Sequence, residues 1–178
     1  MTAEKSNLHP RNLHRNPYDF DELISYVPDL KQYVFVNAYQ TSTINFSIPK
    51  AVKLLNKALL LKYYGVKNWD IPDGNLCPPI PGRADYVHYL ADLLAEHSNE
   101  TPKGLAVKGL DIGTGANLVY PLIAHQSYGW EITGSDINKS SLENAQKILA
   151  ENPDFSSNIH LKFQPDSDFI FRDIVNSG

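Results

Sequence analysis

The chain has 178 residues, 42% of them apolar and 20% charged, with a net charge of −4. That balance describes a folded globular protein and excludes collagen-like, low-complexity or disordered chains. One cysteine, Cys77, leaves no disulfide framework, and no apolar run is long enough to span a membrane.

Residues 1–18 are polar, with His9-Pro10-Arg11-Asn12, His14-Arg15 and Asn16-Pro17, and read as an extended arm rather than a packed element. His9 and His14 have no Cys or His partner at ligand spacing, so no metal site is expected. Met1 to His9 lack the apolar core of a secretory signal, and with the lone cysteine this predicts a reducing cytoplasm.

Residues 19–105 read as mainly helical. Asp19-x-x-Glu22 resembles a capping box opening a short helix with Leu23, Ile24 and Val27 inward. Ser47 and Pro49 mark a second start, and Ala51, Val52, Leu54, Leu55, Ala58 and Leu59 follow helical spacing until Gly65. A proline-rich bend over 69–82 fixes a particular path. A third helix, about Arg83 to Glu96, carries Tyr86, Val87, Leu90, Leu93 and Leu94.

Residues 106–178 read as strands and helices in alternation, with strands ending at Ile112 and spanning about 130–135 and 159–163. Helices are predicted over about 117–126 and 140–151, the second stopped by Asn152-Pro153. The fold class is therefore α/β: the first half of a Rossmann-like, doubly wound sheet behind a mainly helical amino-terminal segment.

Chemistry concentrates where the first strand ends, at Leu110-Asp111-Ile112-Gly113-Thr114-Gly115-Ala116-Asn117. Gly113 and Gly115 allow backbone angles that a Cβ would forbid, so the chain can turn sharply against a ligand. Asn117 is placed to cap the next helix. Asp136 follows where a second strand would deliver a carboxylate to ribose hydroxyls. A dinucleotide fingerprint would need a third glycine where Leu118 stands, to bring the helix end to a pyrophosphate. S-adenosylmethionine has no pyrophosphate, so the turn favours the methyl donor over NAD. A ligand-free turn, with Asp111 merely tying backbone amides together, stays open.

Charge is uneven along the chain. Residues 1–67 hold nine Lys or Arg against five Asp or Glu; residues 68–178 hold seven against fifteen. The basic front suggests a footprint for phosphate, with Arg11, Arg15, Lys50, Lys53 and Lys57 as the candidates. The plainer account makes Lys50, Lys53, Lys57 and Lys62 the wet face of a helix.

Several linear stretches carry a resemblance. They are Leu8-His9-Pro10-Arg11-Asn12, Asn68-Trp69-Asp70-Ile71-Pro72-Asp73-Gly74 and Leu76-Cys77-Pro78-Pro79-Ile80-Pro81-Gly82-Arg83-Ala84-Asp85-Tyr86, with the glycine turn and Tyr120-Pro121-Leu122-Ile123. Nearly end to end, the chain resembles the bacterial 23S ribosomal RNA adenine-N6 methyltransferase F family, related to the methyltransferase-like-16 enzymes of animals. The resemblance implies S-adenosylmethionine as cofactor and the exocyclic amine of one rRNA adenosine as target, in free 23S rRNA or an assembling large subunit. It implies that Gly113, Gly115 and Asp111 border the cofactor and Asp136 holds its ribose. Arg83 would grip the methionine carboxylate, and Gln164 would meet the adenine. The plain alternative for Arg83 is an ion pair with Asp85, Asp70 or Asp73.

The family's catalytic Asn-Pro-Pro-Phe is absent from these residues. Asn16-Pro17 and Asn152-Pro153 are followed by Tyr18 and Asp154, and Cys77 stands before Pro78-Pro79. The expectation is that the motif follows a fourth strand beyond Gly178, so that this chain is the donor-binding front of a longer enzyme and inactive alone. The competing expectation is a non-catalytic RNA- or partner-binding module that keeps the turn as scaffold.

Overall fold

A computed structural model of the chain describes residues 5–96 and 100–175. The first helix, α1 (Phe20–Tyr26), starts where the Asp19 carboxylate accepts from the Glu22 amide at 3.0 Å, satisfying one of the orphan donors of a helix end. A 3-10 turn over Pro28–Tyr33 then leads into a hairpin of β1 (Val34–Val36) and β2 (Ser42–Ile44), paired antiparallel with Phe35 opposite Thr43. Asn37 shapes its turn by accepting from the amides of Tyr39 and Thr41 at 2.9 and 3.1 Å. This hairpin is not among the elements read from the sequence in this mainly helical segment, because strands of three residues are too short for alternation to register.

Helix α2 (Pro49–Tyr64) begins with proline in its first turn, where the missing N–H costs nothing, and stops at Gly65 in the left-handed conformation, φ 68°. Helix α3 (Ile80–Ala95) starts three residues before the predicted Arg83. Its buried stripe is Ile80, Ala84, Val87, His88 and Ala91; of the apolar residues noted in its sequence, Tyr86, Leu93 and Leu94 are exposed.

The remaining elements alternate: β3 (Lys108–Ile112), α4 (Val119–Tyr128), β4 (Glu131–Asp136), α5 (Lys139–Glu151), a short α6 (Pro153–Ser156) and β5 (Ile159–Phe163). The three strands form a parallel sheet in the order β3-β4-β5, with Ile112 beside Ser135 and Asp136 beside Phe163. One apolar core runs through both halves, from Leu23, Leu30, Leu59 and Trp69 to Leu122, Ile123, Trp130 and Ile159. Its edge is uneven. On β3, at the edge of the sheet, Ile112 is 45% exposed, and the strand lines a groove of about 660 Å³ with Tyr86, Leu90, Leu94 and Tyr120.

The largest correction concerns the arm. Of residues 1–18, those from 5 onward are described, and they pack: His9, Asn12 and His14 are all buried. His9 bonds Asp92 through Nε2 at 2.8 Å, and His14 places its two ring nitrogens 3.0 Å from the Tyr64 hydroxyl and 3.1 Å from that of Tyr18. Polar side chains bury readily once each finds a partner. Those partners lie far along the chain, out of reach of a local reading.

Candidate functional site

The carboxyl ends of the strands of an open parallel sheet are where ligands bind, and the turn after β3 lies there. Gly113 and Gly115 hold φ of 75° and 66°, and the following Leu118 holds 54°. A Cβ built on Gly113 would meet nothing within 4 Å, so its open side faces free space instead of packed atoms. The turn is fastened to the next strand: the amides of Gly113 and Thr114 both donate to the Ser135 carbonyl, at 2.8 and 3.0 Å. Gly134 permits that closeness, since a Cβ there would lie 2.9–3.1 Å from three atoms of Thr114. Asn117 accepts from the Val119 amide at 3.1 Å, so it serves the start of α4 although the helix begins two residues later than predicted.

Asp136 ends β4 at the mouth of this turn. Its two oxygens accept from the backbone amides of Gly115 and Asn138, at 2.9 and 2.8 Å. A carboxylate oxygen has two lone pairs, so each keeps one for an incoming hydroxyl donor. Asp111 stands beside it. Burial pushes the Asp111 carboxyl above its usual range; the Thr114 hydroxyl pulls it back, the Asp136 carboxylate pushes it further up, and the Arg83 guanidinium opposes that. A cation bound here would favour the charged carboxylate and so oppose the upward shift.

Arg83, in the first turns of α3, donates to the Tyr120 hydroxyl at 2.8 Å and lies 5.2 Å over that ring, while the Tyr86 ring meets Tyr120 at a tilt, with centroids 5.2 Å apart. Among the described residues no carboxylate forms an ion pair with it. Asp70 and Asp73 pair with Lys53 instead, at 3.1 and 3.3 Å, and Asp85 is taken by the arm. The guanidinium therefore keeps donors for an anion. Tyr120 was absent from the sequence reading as a site residue. The signal available was its place in the first turn of α4, directly after the glycine turn.

The proline-rich bend holds the turn from below. Trp69 donates its indole N–H to the Asn117 carbonyl at 2.8 Å, and one amide group, that of Asn144 on α5, donates to the carbonyls of Asp70 and Ala116 at 2.9 and 2.8 Å. Gln164 does not join the site as expected. It is buried, its NH2 donates to the Arg172 carbonyl at 2.9 Å and its oxygen accepts from the Asp166 amide at 3.1 Å. Both ends of the amide are thus used to shape the chain after β5.

The cationic candidates separate in the same way. Arg11 donates to Asp92, to the His88 carbonyl and to the Tyr128 hydroxyl, and Lys53 bridges Asp70, Asp73 and the Ile71 carbonyl. Lys62 pairs with Glu22. Arg15 is half-buried and engaged within the fold. Lys50 is exposed and Lys57 half-buried, on the face of α2 shared with Lys53. Among the described residues no group of His, Cys, Asp or Glu is arranged to hold a metal ion, and no helix is long and apolar enough to cross a membrane.

A family model described as RNA methyltransferase matches residues 2–178. The chain is 55% identical over 174 residues to the ribosomal RNA large subunit methyltransferase F of Flavobacterium johnsoniae, covering 97% of this chain and 55% of that protein. It is 52% identical over 178 residues to the protein of the same name from Klebsiella pneumoniae, covering 58% of it. The chain thus spans little more than half the length of these curated relatives. Among solved structures, the N-terminal domain of human METTL16 in complex with SAH superposes with a TM-score of 0.82 at 31% identity, covering 96% of this chain and 64% of that one. The human METTL16 catalytic domain in complex with a MAT2A 3′UTR hairpin gives 0.76 at 32% identity, covering 89% and 52%.

Proposed function

Because the chain belongs to the RNA methyltransferase family, we propose that the protein methylates the exocyclic amine of an adenosine in 23S ribosomal RNA, and that the sheet segment from residue 106 onward, with Arg83 of α3, binds the donor, S-adenosylmethionine. The observation that carries this is the meeting of an open glycine turn, two carboxylates and an unpaired guanidinium at the carboxyl end of β3. Those residues suit that cofactor group by group. Arg83 offers a two-pronged donor to the methionine carboxylate, with Tyr120 holding its plane. Asp111 faces the amino group, whose charge would draw its raised pKa down again. Asp136 receives the ribose hydroxyls on its remaining lone pairs, and Gly113 lets the backbone approach without a Cβ.

The bound donor supplies a methyl group on a sulfonium, ready for transfer to a neutral amine. What these residues contribute is orientation: they fix both ends of the donor, so that the methyl is aimed and the entropy of the encounter is lost in binding rather than in the reaction. The group that would activate the amine, Asn-Pro-Pro-aromatic, does not occur in the 178 residues. The basic face of α2, with Lys50 and Lys57 not engaged by carboxylates among the described residues, supports RNA as the partner. Such a protein works where ribosomes are assembled, in the cytoplasm.

The test uses the intact protein, S-adenosylmethionine and unmodified 23S rRNA, with nucleosides analysed by mass spectrometry. N6-methyladenosine at one site is expected where these residues are joined to an Asn-Pro-Pro-aromatic segment, and none from the 178 residues alone; the product is lost with Arg83→Ala. Donor binding and RNA binding without any methylated nucleoside would favour a non-catalytic binding module instead. Failure to bind S-adenosylhomocysteine would remove the cofactor assignment itself.

A further inference from the structure

Helix α3 carries two different jobs on opposite sides. Residues along a helix advance by about 100° each, so Asp85 and Asp92 fall on one stripe while Arg83 and Leu90 fall on the stripe across from it. The arm occupies the first stripe. The His9 amide donates to Asp85 at 2.9 Å, and the Asn12 side-chain NH2 donates both to Asp85 and to the Pro81 carbonyl, the latter at 2.9 Å. One turn pair further on, Asp92 accepts from His9 and Arg11. Arg11 and His88 then meet at the Tyr128 hydroxyl, at 2.9 and 2.7 Å, which ties the arm and α3 to the end of α4. Asn12 is itself held, because its oxygen accepts from the His14 amide at 2.9 Å and its side chain is buried.

These polar pins add to a buried apolar side made largely of small residues. Beyond Ile80, its buried residues are Ala84, Val87, His88 and Ala91. Alanine side chains reach only a short way across such an interface, so the hydrogen bonds on the arm's side add to what sets the rotation of the helix about its axis. A turn of roughly 10° would shift a side-chain end on the far face by about 2 Å, given the ordinary helix radius and an extended arginine. A displacement of that size is enough to spoil bidentate recognition of a carboxylate.

The geometry points to Asn12 and Asp85 as positioning residues that set where Arg83 stands, acting through α3 from the side opposite the donor. This rests on the reading of Arg83 given above as the donor's carboxylate ligand. The arm is then part of the cofactor site although none of its residues borders the glycine turn. It also gives His9-Pro10-Arg11-Asn12 a use other than contact with RNA.

The experiment is a double-mutant cycle on the intact protein, reading S-adenosylhomocysteine affinity by calorimetry well below the unfolding temperature. Asn12→Ala is expected to weaken binding about tenfold in the wild-type background and less than about twofold when Arg83→Ala is already present, the signature of coupled residues. Asp85→Ala should behave like Asn12→Ala, and it serves in its place if that variant fails to fold. Asp85→Asn, which retains an acceptor oxygen, should recover most of the affinity. Equal weakening in both backgrounds would overturn the proposal, since a general loss of structure does not depend on Arg83. So would wild-type affinity in both Asn12→Ala and Asp85→Ala. Wild-type affinity in Arg83→Ala alone would instead sink the Arg83 reading and take this inference with it.

Discussion

The arm over residues 5–18 and the strand β3 invert what their sequences suggest. Three polar side chains of the arm, His9, Asn12 and His14, lie buried, while the apolar Leu110 and Ile112 of β3 stay half-buried and exposed. His14 is 0% exposed with both ring nitrogens beside tyrosine hydroxyls, whereas Ile112 at the end of the strand keeps nearly half its surface. What decides burial is whether a group finds its complement in this fold, not the group's own polarity. The arm meets carboxylates and hydroxyls on α2, α3 and α4. The outer side of β3 meets a groove.

The sharpest way to break this comparison is His14→Phe. It keeps a ring but leaves the hydroxyls of Tyr18 and Tyr64 buried without that partner, and an expected loss of about 2–4 kcal/mol follows in urea unfolding. Tolerance within 0.5 kcal/mol, by contrast about the scatter of surface changes, would mean that the polar packing of the arm contributes nothing. Acid tests the same residues together. Burial lowers His14 to about 3 and His88 to about 4, from 6.5. The folded state therefore resists protonation: stability is full above 6.5 and falls as pH drops, by about 1.4 kcal/mol per pH unit for each histidine. The His88 share levels off near 4 and the His14 share near 3. A stability curve flat from pH 6.5 to 4 would contradict the buried neutral arrangement.

Gly134→Ala probes the join between the halves of the comparison. Its new methyl would press on Thr114 and should cost about 1–3 kcal/mol by overpacking, with donor affinity falling because the turn must move. The smallest effect belongs to β3. Ile112→Lys should change the stability of this chain by no more than about 0.5 kcal/mol, as exposed substitutions do. A loss above 2 kcal/mol, the scale of a core truncation, would show that the strand is better covered than its exposure suggests.

The alternating part of the fold was legible because buried parallel strands and amphipathic helices leave long, regular patterns; β5 spans Ile159–Phe163 as read from the sequence. The glycine turn and Asp136 came from local spacing as well. The hairpin was not legible, nor was the arm's burial, since Asn12 and Asp85 lie 73 residues apart and nothing in either segment names the other. Arg83 was placed from resemblance, and the structure adds its reason for standing free: Lys53 has claimed Asp70 and Asp73. Gln164 was placed from resemblance as well, and its amide has backbone partners, the Arg172 carbonyl and the Asp166 amide, that no local reading names.

The two bonds of Asn144 have a kinetic corollary. Because one NH2 group closes the bend at Asp70 and the turn at Ala116, neither segment can loosen without releasing the other. They should behave as a single unit of local opening, so the Trp69 indole proton, bonded to Asn117, and the amides of the glycine turn should exchange with deuterium at a shared rate. Removing the Asn144 side chain should split that rate in two.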